Sequence, residues 1–463
     1  MARFANLSAA SGWMVLVHPA SFQDVKRDKN EARRAIVLSK LKKYPELDHP
    51  PDPTPEFLLA VGGGSSEQDD CDNRLLFAVK ANAVSLLVTE DKGIHAKARK
   101  AGLEERVYYV TQCVALIEHL DRTHKAVPPT VRLRPLHAVS LRDPIFDSLR
   151  SDYDFDAWFN KSARNGRECW LVGGADGSIA AICIFKPEPD PMPQLRGSWL
   201  KLCTFKVAAE MSGRKLGELL LKTAFNYCAG ADIPGVYLTA YPKQSALIAM
   251  MGDFGFQQVQ EEGASEVVLA KRFAPPAGAI GPEDGLEFNR TYFPSFRTHE
   301  SIGNHIVPVR PHFHELLFPE WPSQFAQAGF FPSAEPVSNA IRKAYLCNSP
   351  TTRIKPGDLL YFYRSNDKKV VTTIAVAERT LRSTKAEDVA AFVGKRTVYS
   401  LAEITELCDK GEVLAIVFRQ CRHAPRPLRF KRLRAAGIVR NHLESITWVP
   451  PGEARLLREE AGL

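Results

Sequence analysis

At 463 residues and 51.5 kDa the chain is too long for one ordinary core, and about three domains fit its length. Its 45% apolar and 25% charged residues exclude a disordered or fibrous protein, and a net charge of +8 suits an anionic partner as well as simple solubility. No apolar run approaches the ~20 residues of a spanning helix, "GWMVLVHP" has no basic leader, and the nine cysteines are scattered without a CxxC pair, so the expectation is a cytoplasmic protein with reduced thiols and no membrane partner.

The first block, about 1–125, alternates short apolar runs with helical patterns. "WMVLVHP", "SLLVTED" and "RVYYVT" read as strands, and "FQDVKRDKNEARRAIVLSKLKKY" and "DDCDNRLLFAVKANA" as helices. Such alternation predicts a parallel sheet with helical crossovers. Asp72 opens a helix and Asp91 follows a strand; each is either a cap or turn residue or, at the functional edge of the sheet, a ligand for a divalent cation.

"DDCDNRLLFAVKANAVSLLVTEDKGIHAKA" resembles the second half of a PIN-type nuclease domain and ends in that family's Thr-x-Asp signature, here Thr89, Glu90 and Asp91. The resemblance implies Mg or Mn held by Asp24, Asp72 and Asp91. The family's first-strand aspartate is missing before "WMVLV", which predicts an incomplete or degenerate domain with little or no nuclease activity.

Proline-rich breaks around 123–135 and 273–285 bound a second block, about 129–273. "ECWLVGG" and "SIAAICIFKP" read as a hairpin and "SWLKLCTFKVA" as a strand. A glycine-bearing loop and a long amphipathic helix follow, then strand "PGVYLTAYP", helix "SALIAMMGDFGF" and strand "SEVVLAKRF". A strand–loop–helix turn presents partnerless N–H groups and a positive dipole end, which suits phosphate or no ligand at all.

This order resembles the GNAT acetyltransferases over essentially the whole block, most specifically at 205–221 and at "ALIAMMGDFGF". The resemblance implies acetyl-CoA as cofactor. Val207 and Ala209 would offer backbone to the pantetheine arm, and Ser212, Gly213, Arg214, Lys215, Leu216 and Gly217 would cradle the diphosphate. Lys215 stands where the family usually has glycine. Met251 stands where many members carry a tyrosine acid, which leaves Tyr241 as the nearest acid and Glu210 as a base. Tyr241 reads equally as a packing residue and Glu210 as a solvated loop residue.

The third block, about 292–463, is β-rich, with strands "GDLLYFYRS", "KVVTTIAVAERTL" and "EVLAIVFRQCRH" and an intervening helix "SLAEITELCDKG". It is similar to the PUA-like superfamily, specifically its ASCH and EVE branches, on "NAIRKAYLCNS", "IKPGDLLYFYRS" and "AERTLRS". That implies a small β-barrel with a nucleotide or base in a cleft. Asn339, Arg342, Lys343, Tyr345, Tyr363 and Arg364 are placed there, and of Tyr361 and Tyr363 one is expected in the core and one at the surface. The carboxylate-free run "RQCRHAPRPLRFKRLRAAGIVR", with Arg426, Arg429 and Arg432, is either a phosphate-tracking face or a solvated one.

The fold expectation is thus α/β and α+β multidomain: a parallel-sheet PIN-like domain, a GNAT mixed-sheet domain and a PUA-like barrel. The leading function is an acetyl-CoA-dependent N-acetyltransferase acting on RNA or an RNA-linked amine such as aminoacyl-tRNA. Analogy with toxins of the acetyltransferase family adds a small antitoxin as partner. Two alternatives stand: an RNA-binding or RNA-cleaving protein whose GNAT domain only senses acetyl-CoA, and a protein N-acetyltransferase.

Overall fold

The computed structural model describes the chain apart from residues 1, 12, 64–65, 122–130, 152, 175–176, 212–213, 260–265, 277, 320, 322–339 and 463. It divides into two compact units. The first comprises residues 1–123, 382–395 and 399–413; the second comprises 124–381, 396–398 and 414–463.

In the first unit, strands Leu87–Val88 and Val107–Tyr108 pair in parallel around the helix Lys92–Lys100. Phe57, Leu76, Phe77, Ile94 and Val107 form its main core. The expected first strand is reduced to one bridge, Val17 to Glu46. His18 then caps a helix that begins at Pro19, where the ring's fixed φ suits a first helical turn. Helix Leu401–Asp409 belongs to this unit and packs on Val110–Asp121, although the sequence places it in the third block.

The second unit contains two sheets. The seven-stranded one runs in the order Val131–Pro135, Glu168–Gly173, Ile179–Pro189, Ser198–Val207, Gly235–Ala240, Val267–Arg272, Gln257–Gln258. All its neighbours are antiparallel except Ser198–Val207 and Gly235–Ala240, which run parallel across the long helix Leu216–Gly230. The expected hairpin is the pair Glu168–Gly173 and Ile179–Pro189.

The six-stranded sheet runs Arg342–Cys347, Val413–Arg429, Val370–Ser383, Leu359–Arg364, Asn304–Val309, Thr447–Val449. The pairings of the described residues leave it open at Arg342–Cys347 and Thr447–Val449, so the expected barrel closure is not among them. Every residue of Leu359–Arg364 is buried, because this central strand is covered on both faces. Tyr361 and Tyr363 are therefore both interior, at 0% and 3% exposure, and the expected core-and-surface alternation does not hold.

One apolar cluster joins the two sheets of this unit. Phe185, Leu202, Leu220, Phe225 and Phe254 pack in continuity with Phe293, Ile306, Ile341, Tyr361 and Val376. The second and third sequence blocks thus share a core, and their boundary is a change of sheet rather than a linker.

Candidate acetyl-CoA site

Strand Ser198–Val207 bulges at Cys203, because Ile184 faces Thr204 while the next residue, Phe185, faces Leu202. Its parallel ladder with Gly235–Ala240 ends at Leu202 opposite Leu238, yet both strands continue, to Val207 and Ala240. Beyond that point the two edges are no longer joined among the described residues. Unpaired strand edges of this kind offer main-chain hydrogen bonds to an extended ligand. Val207 and Ala209 lie at the end of this edge and in the short turn Ala209–Met211 that follows.

The chain then enters the helix Leu216–Gly230. Lys215 caps it in the left-handed conformation, with φ 61° and ψ 20°. That is the backbone glycine adopts at least cost, so the lysine occupies a glycine-type position. Gly217 has no positive φ; it is buried in the first turn, where an added Cβ would lie 3.0 Å from Met250 Sδ. Its missing side chain serves close packing rather than backbone freedom. Leu216 is core and Arg214 is exposed beside the helix start. Ser212, Gly213 and the side chain of Glu210 lie outside the described residues.

The Lys215 ammonium turns inward, 2.8 Å from Glu218 Oε1. The other oxygen, Glu218 Oε2, accepts the backbone N–H groups of Ile341 and Arg342 at 3.1 and 3.3 Å. Burial raises the Glu218 pKa, but Lys215, Arg396 and Arg342 outweigh it and hold the carboxyl at about 2.

Arg342 belongs to a second buried network. Its Nε and Nη2 donate to Glu378 at 2.7 and 2.8 Å, and Arg290 and Arg419 approach the same carboxylate at 3.3 and 3.6 Å. Arg419, only 2% exposed, also donates from Nη2 to the Asp253 carbonyl at 2.9 Å.

At the mouth between the parted strands lies Tyr241, half-buried, its N–H donating to Gln244 Oε1 at 3.0 Å. A second tyrosine that the sequence reasoning missed, Tyr153, comes in from the loop before helix Phe155–Arg164. Burial first, then Tyr241 and Cys203, push its hydroxyl up to about 12. Tyr153 stands edge-on to Phe155 and Trp158, which gives this face an aromatic lining. The "SDYDFDAWF" cluster of aromatics was the available signal, but nothing local tied it to Thr204 across the sheet. Met251 is fully buried in the core and takes no part.

The other expected sites fare differently. In the first unit, Asp91 caps helix Lys92–Lys100 by accepting from Gly93 and Ile94 at 2.6 and 3.1 Å, and Asp24 pairs loosely with Arg27 at 4.0 Å. Asp72 is buried, and Lys97 Nζ lies 3.4 Å from its carboxylate and 2.8 Å from Asp69. A lysine thus fills the place of a cation. Among the described residues no group of three His, Cys, Asp or Glu is arranged to hold a metal, so the expected Mg or Mn site is not supported.

In the six-stranded sheet, Lys343 is fully buried and donates to the Leu317 carbonyl, and Tyr345 donates to the Pro308 carbonyl at 2.7 Å. Arg364 is paired with Glu315 and Asp367, and Arg342 with Glu378. Tyr363 is also interior, so the polar ends of Arg342, Lys343, Tyr345 and Arg364 meet partners within the unit. Asn339 lies outside the described residues. Arg426, Arg429 and Arg432 are exposed, with Arg432 paired to Glu460 at 2.7 Å. No helix of the described residues is long and apolar enough to cross a membrane.

Residues 136–256 match the model of the Acetyltransferase (GNAT) family. No curated protein matches the chain. Solved structures similar to parts of it include an ASCH protein from Zymomonas mobilis, at 14% identity over 34% of this chain and 94% of that one, TM-score 0.26. Two others are NAA60 of Arabidopsis thaliana with a bisubstrate analogue, at 16% identity over 30% and 95%, TM-score 0.25, and the PaiA N-acetyltransferase of Thermoplasma acidophilum with coenzyme A, at 15% identity over 31% and 99%, TM-score 0.23.

Proposed function

We propose that this chain transfers the acetyl group of acetyl-CoA to an amine carried by RNA, with the α-amine of aminoacyl-tRNA as the best-suited acceptor. The observation that carries the acetyl-transfer part is the ladder that stops at Leu202 and Leu238 while both strands run on, with a loop and a helix N-terminus at the opening. The parted edge suits the pantetheine arm, and the helix start with Arg214 beside it suits the diphosphate. Acetyl-CoA supplies the activated thioester. An α-amino group titrates near pH 8, so a fraction is already neutral and needs little help from a base. A proton must still reach the departing thiolate, and Tyr241 at the mouth is the residue assigned to that task.

The RNA part rests on the exposed Arg426, Arg429 and Arg432 within the same unit as the acetyltransferase domain. Incubation with labelled acetyl-CoA and total tRNA tests it. Label should enter charged tRNA and be lost after prior deacylation. Transfer to protein alone would instead support a protein acetyltransferase. The burial of Met251 favours a second reading, in which the domain senses acetyl-CoA without turnover; tight CoA binding with no release of free CoA in the presence of any acceptor would support it.

If the arginines track phosphates, replacing all three with glutamine should weaken RNA binding and flatten the salt dependence by roughly 0.7 per lost contact on single strands. Unchanged affinity and slope, measured by fluorescence anisotropy across salt, would reduce the run to a solvated face.

A further inference from the structure

We infer that Glu218 is a positioning residue for the cofactor loop, acting through Lys215 and anchored by the first strand of the six-stranded sheet. This rests on the assignment of the loop to acetyl-CoA. Lys215 is held in a left-handed conformation that a lysine adopts only at a cost. An ammonium at the mouth of an anion site would ordinarily point at the anion. Here it turns the other way, 2.8 Å from Glu218 Oε1, and both partners are largely buried. Glu218 in turn is fixed by the Ile341 and Arg342 N–H groups, more than a hundred residues away in sequence.

The arrangement has two consequences. Glu218 occupies the third position of the helix, where a free carboxylate would repel a diphosphate; pairing with Lys215 and the two N–H groups neutralises it and turns it away. The ion pair also holds the turn at Lys215, so the N–H groups after it keep their direction. Neither effect needs Glu218 to touch the cofactor. Replacing the carboxylate with an amide leaves the Lys215 ammonium buried without its counter-charge. The side chain then swings to solvent and the turn loosens.

The test measures coenzyme A binding by calorimetry in the full chain. Glu218→Gln should weaken coenzyme A about tenfold, with KM for acetyl-CoA raised and kcat nearly unchanged. In a Lys215→Gly background, where the turn costs nothing and there is no ammonium to hold, the same change should alter affinity less than about twofold. A purely structural Glu218 would weaken binding equally in both backgrounds, and that result overturns the inference. Should Glu218→Gln fail to fold, Lys215→Met reads the same contact: it keeps the carboxylate on Ile341 and Arg342 and should still weaken coenzyme A, whereas unchanged binding overturns the inference. Absence of coenzyme A binding by the unaltered chain would instead remove the loop assignment itself.

Discussion

Replacing Glu378 with alanine is expected to destabilise the second unit by about 3–5 kcal/mol, because it strands buried guanidinium groups without their counter-charge. Arg342 holds this carboxylate through two hydrogen bonds, and Arg419, 2% exposed, lies 3.6 Å from it. Arg419 Nε and Nη1 already lack hydrogen-bond partners among the described residues, so little remains to absorb the loss. The same network sets an acid limb. Burial raises the Glu378 carboxyl, but Arg342 and Arg419 overcome this and hold it at about 2, as their neighbours do Glu218, against an ordinary 4.5. A depressed carboxylate contributes stability that is complete above its unfolded value and is lost as pH falls toward the folded one. Thermal unfolding should therefore be level near neutrality and fall steeply from about pH 4.5 toward 2. The Glu378→Ala variant should melt lower at neutral pH and show a shallower acid limb. An unchanged limb, or a loss below about 1 kcal/mol in denaturant titration, would show that the charges are solvated in solution.

The extent to which the sequence exposed this molecule follows from the range of its interactions. The strand–loop–helix at 198–230 and the helix ending in Gly255–Phe256 are local patterns, and both stand where the sequence puts them. The sequence showed a lysine where glycine is usual, but the left-handed backbone at Lys215 came only with the structure. Nor was its partner legible. The contact of Glu218 with the Ile341 and Arg342 N–H groups depends on how two sheets of one unit share a core, and no window of sequence contains both ends. The misplaced tyrosines have the same origin. Alternation in "LLYFYR" predicts one wet face only if one face of the sheet is bare, and here every residue of the strand is buried. Asp72 reads as a ligand until Lys97 is seen beside it, again a tertiary fact. Tyr153 lies about fifty residues before the strand it faces, so its approach to Cys203 and Tyr241 comes from the packing of its loop on the sheet.

Two hydroxyls at the mouth of the parted strands make the assignment of the acid testable. Tyr241→Phe is expected to lower kcat about a hundredfold, the scale of losing one positioned acid, with KM for acetyl-CoA little changed. Tyr153→Phe is expected to act mainly on KM for the acceptor, since Tyr153 belongs to the aromatic lining with Phe155 and Trp158. The geometry gives the reason for the difference. Tyr241 directly follows the strand whose ladder with Ser198–Val207 stops short of its end. Tyr153 comes from the loop before helix Phe155–Arg164 and lies near enough to Tyr241 and Cys203 to feel their charge. Burial raises the Tyr153 hydroxyl, so Tyr153→Phe should leave the pH dependence of kcat unchanged. Steady-state kinetics against pH, with free CoA release as the readout, separates the two. If Tyr153→Phe carries the hundredfold loss in kcat and Tyr241→Phe only raises KM, the roles are exchanged. If neither changes kcat, proton delivery runs through water, and the tyrosines only shape the entrance.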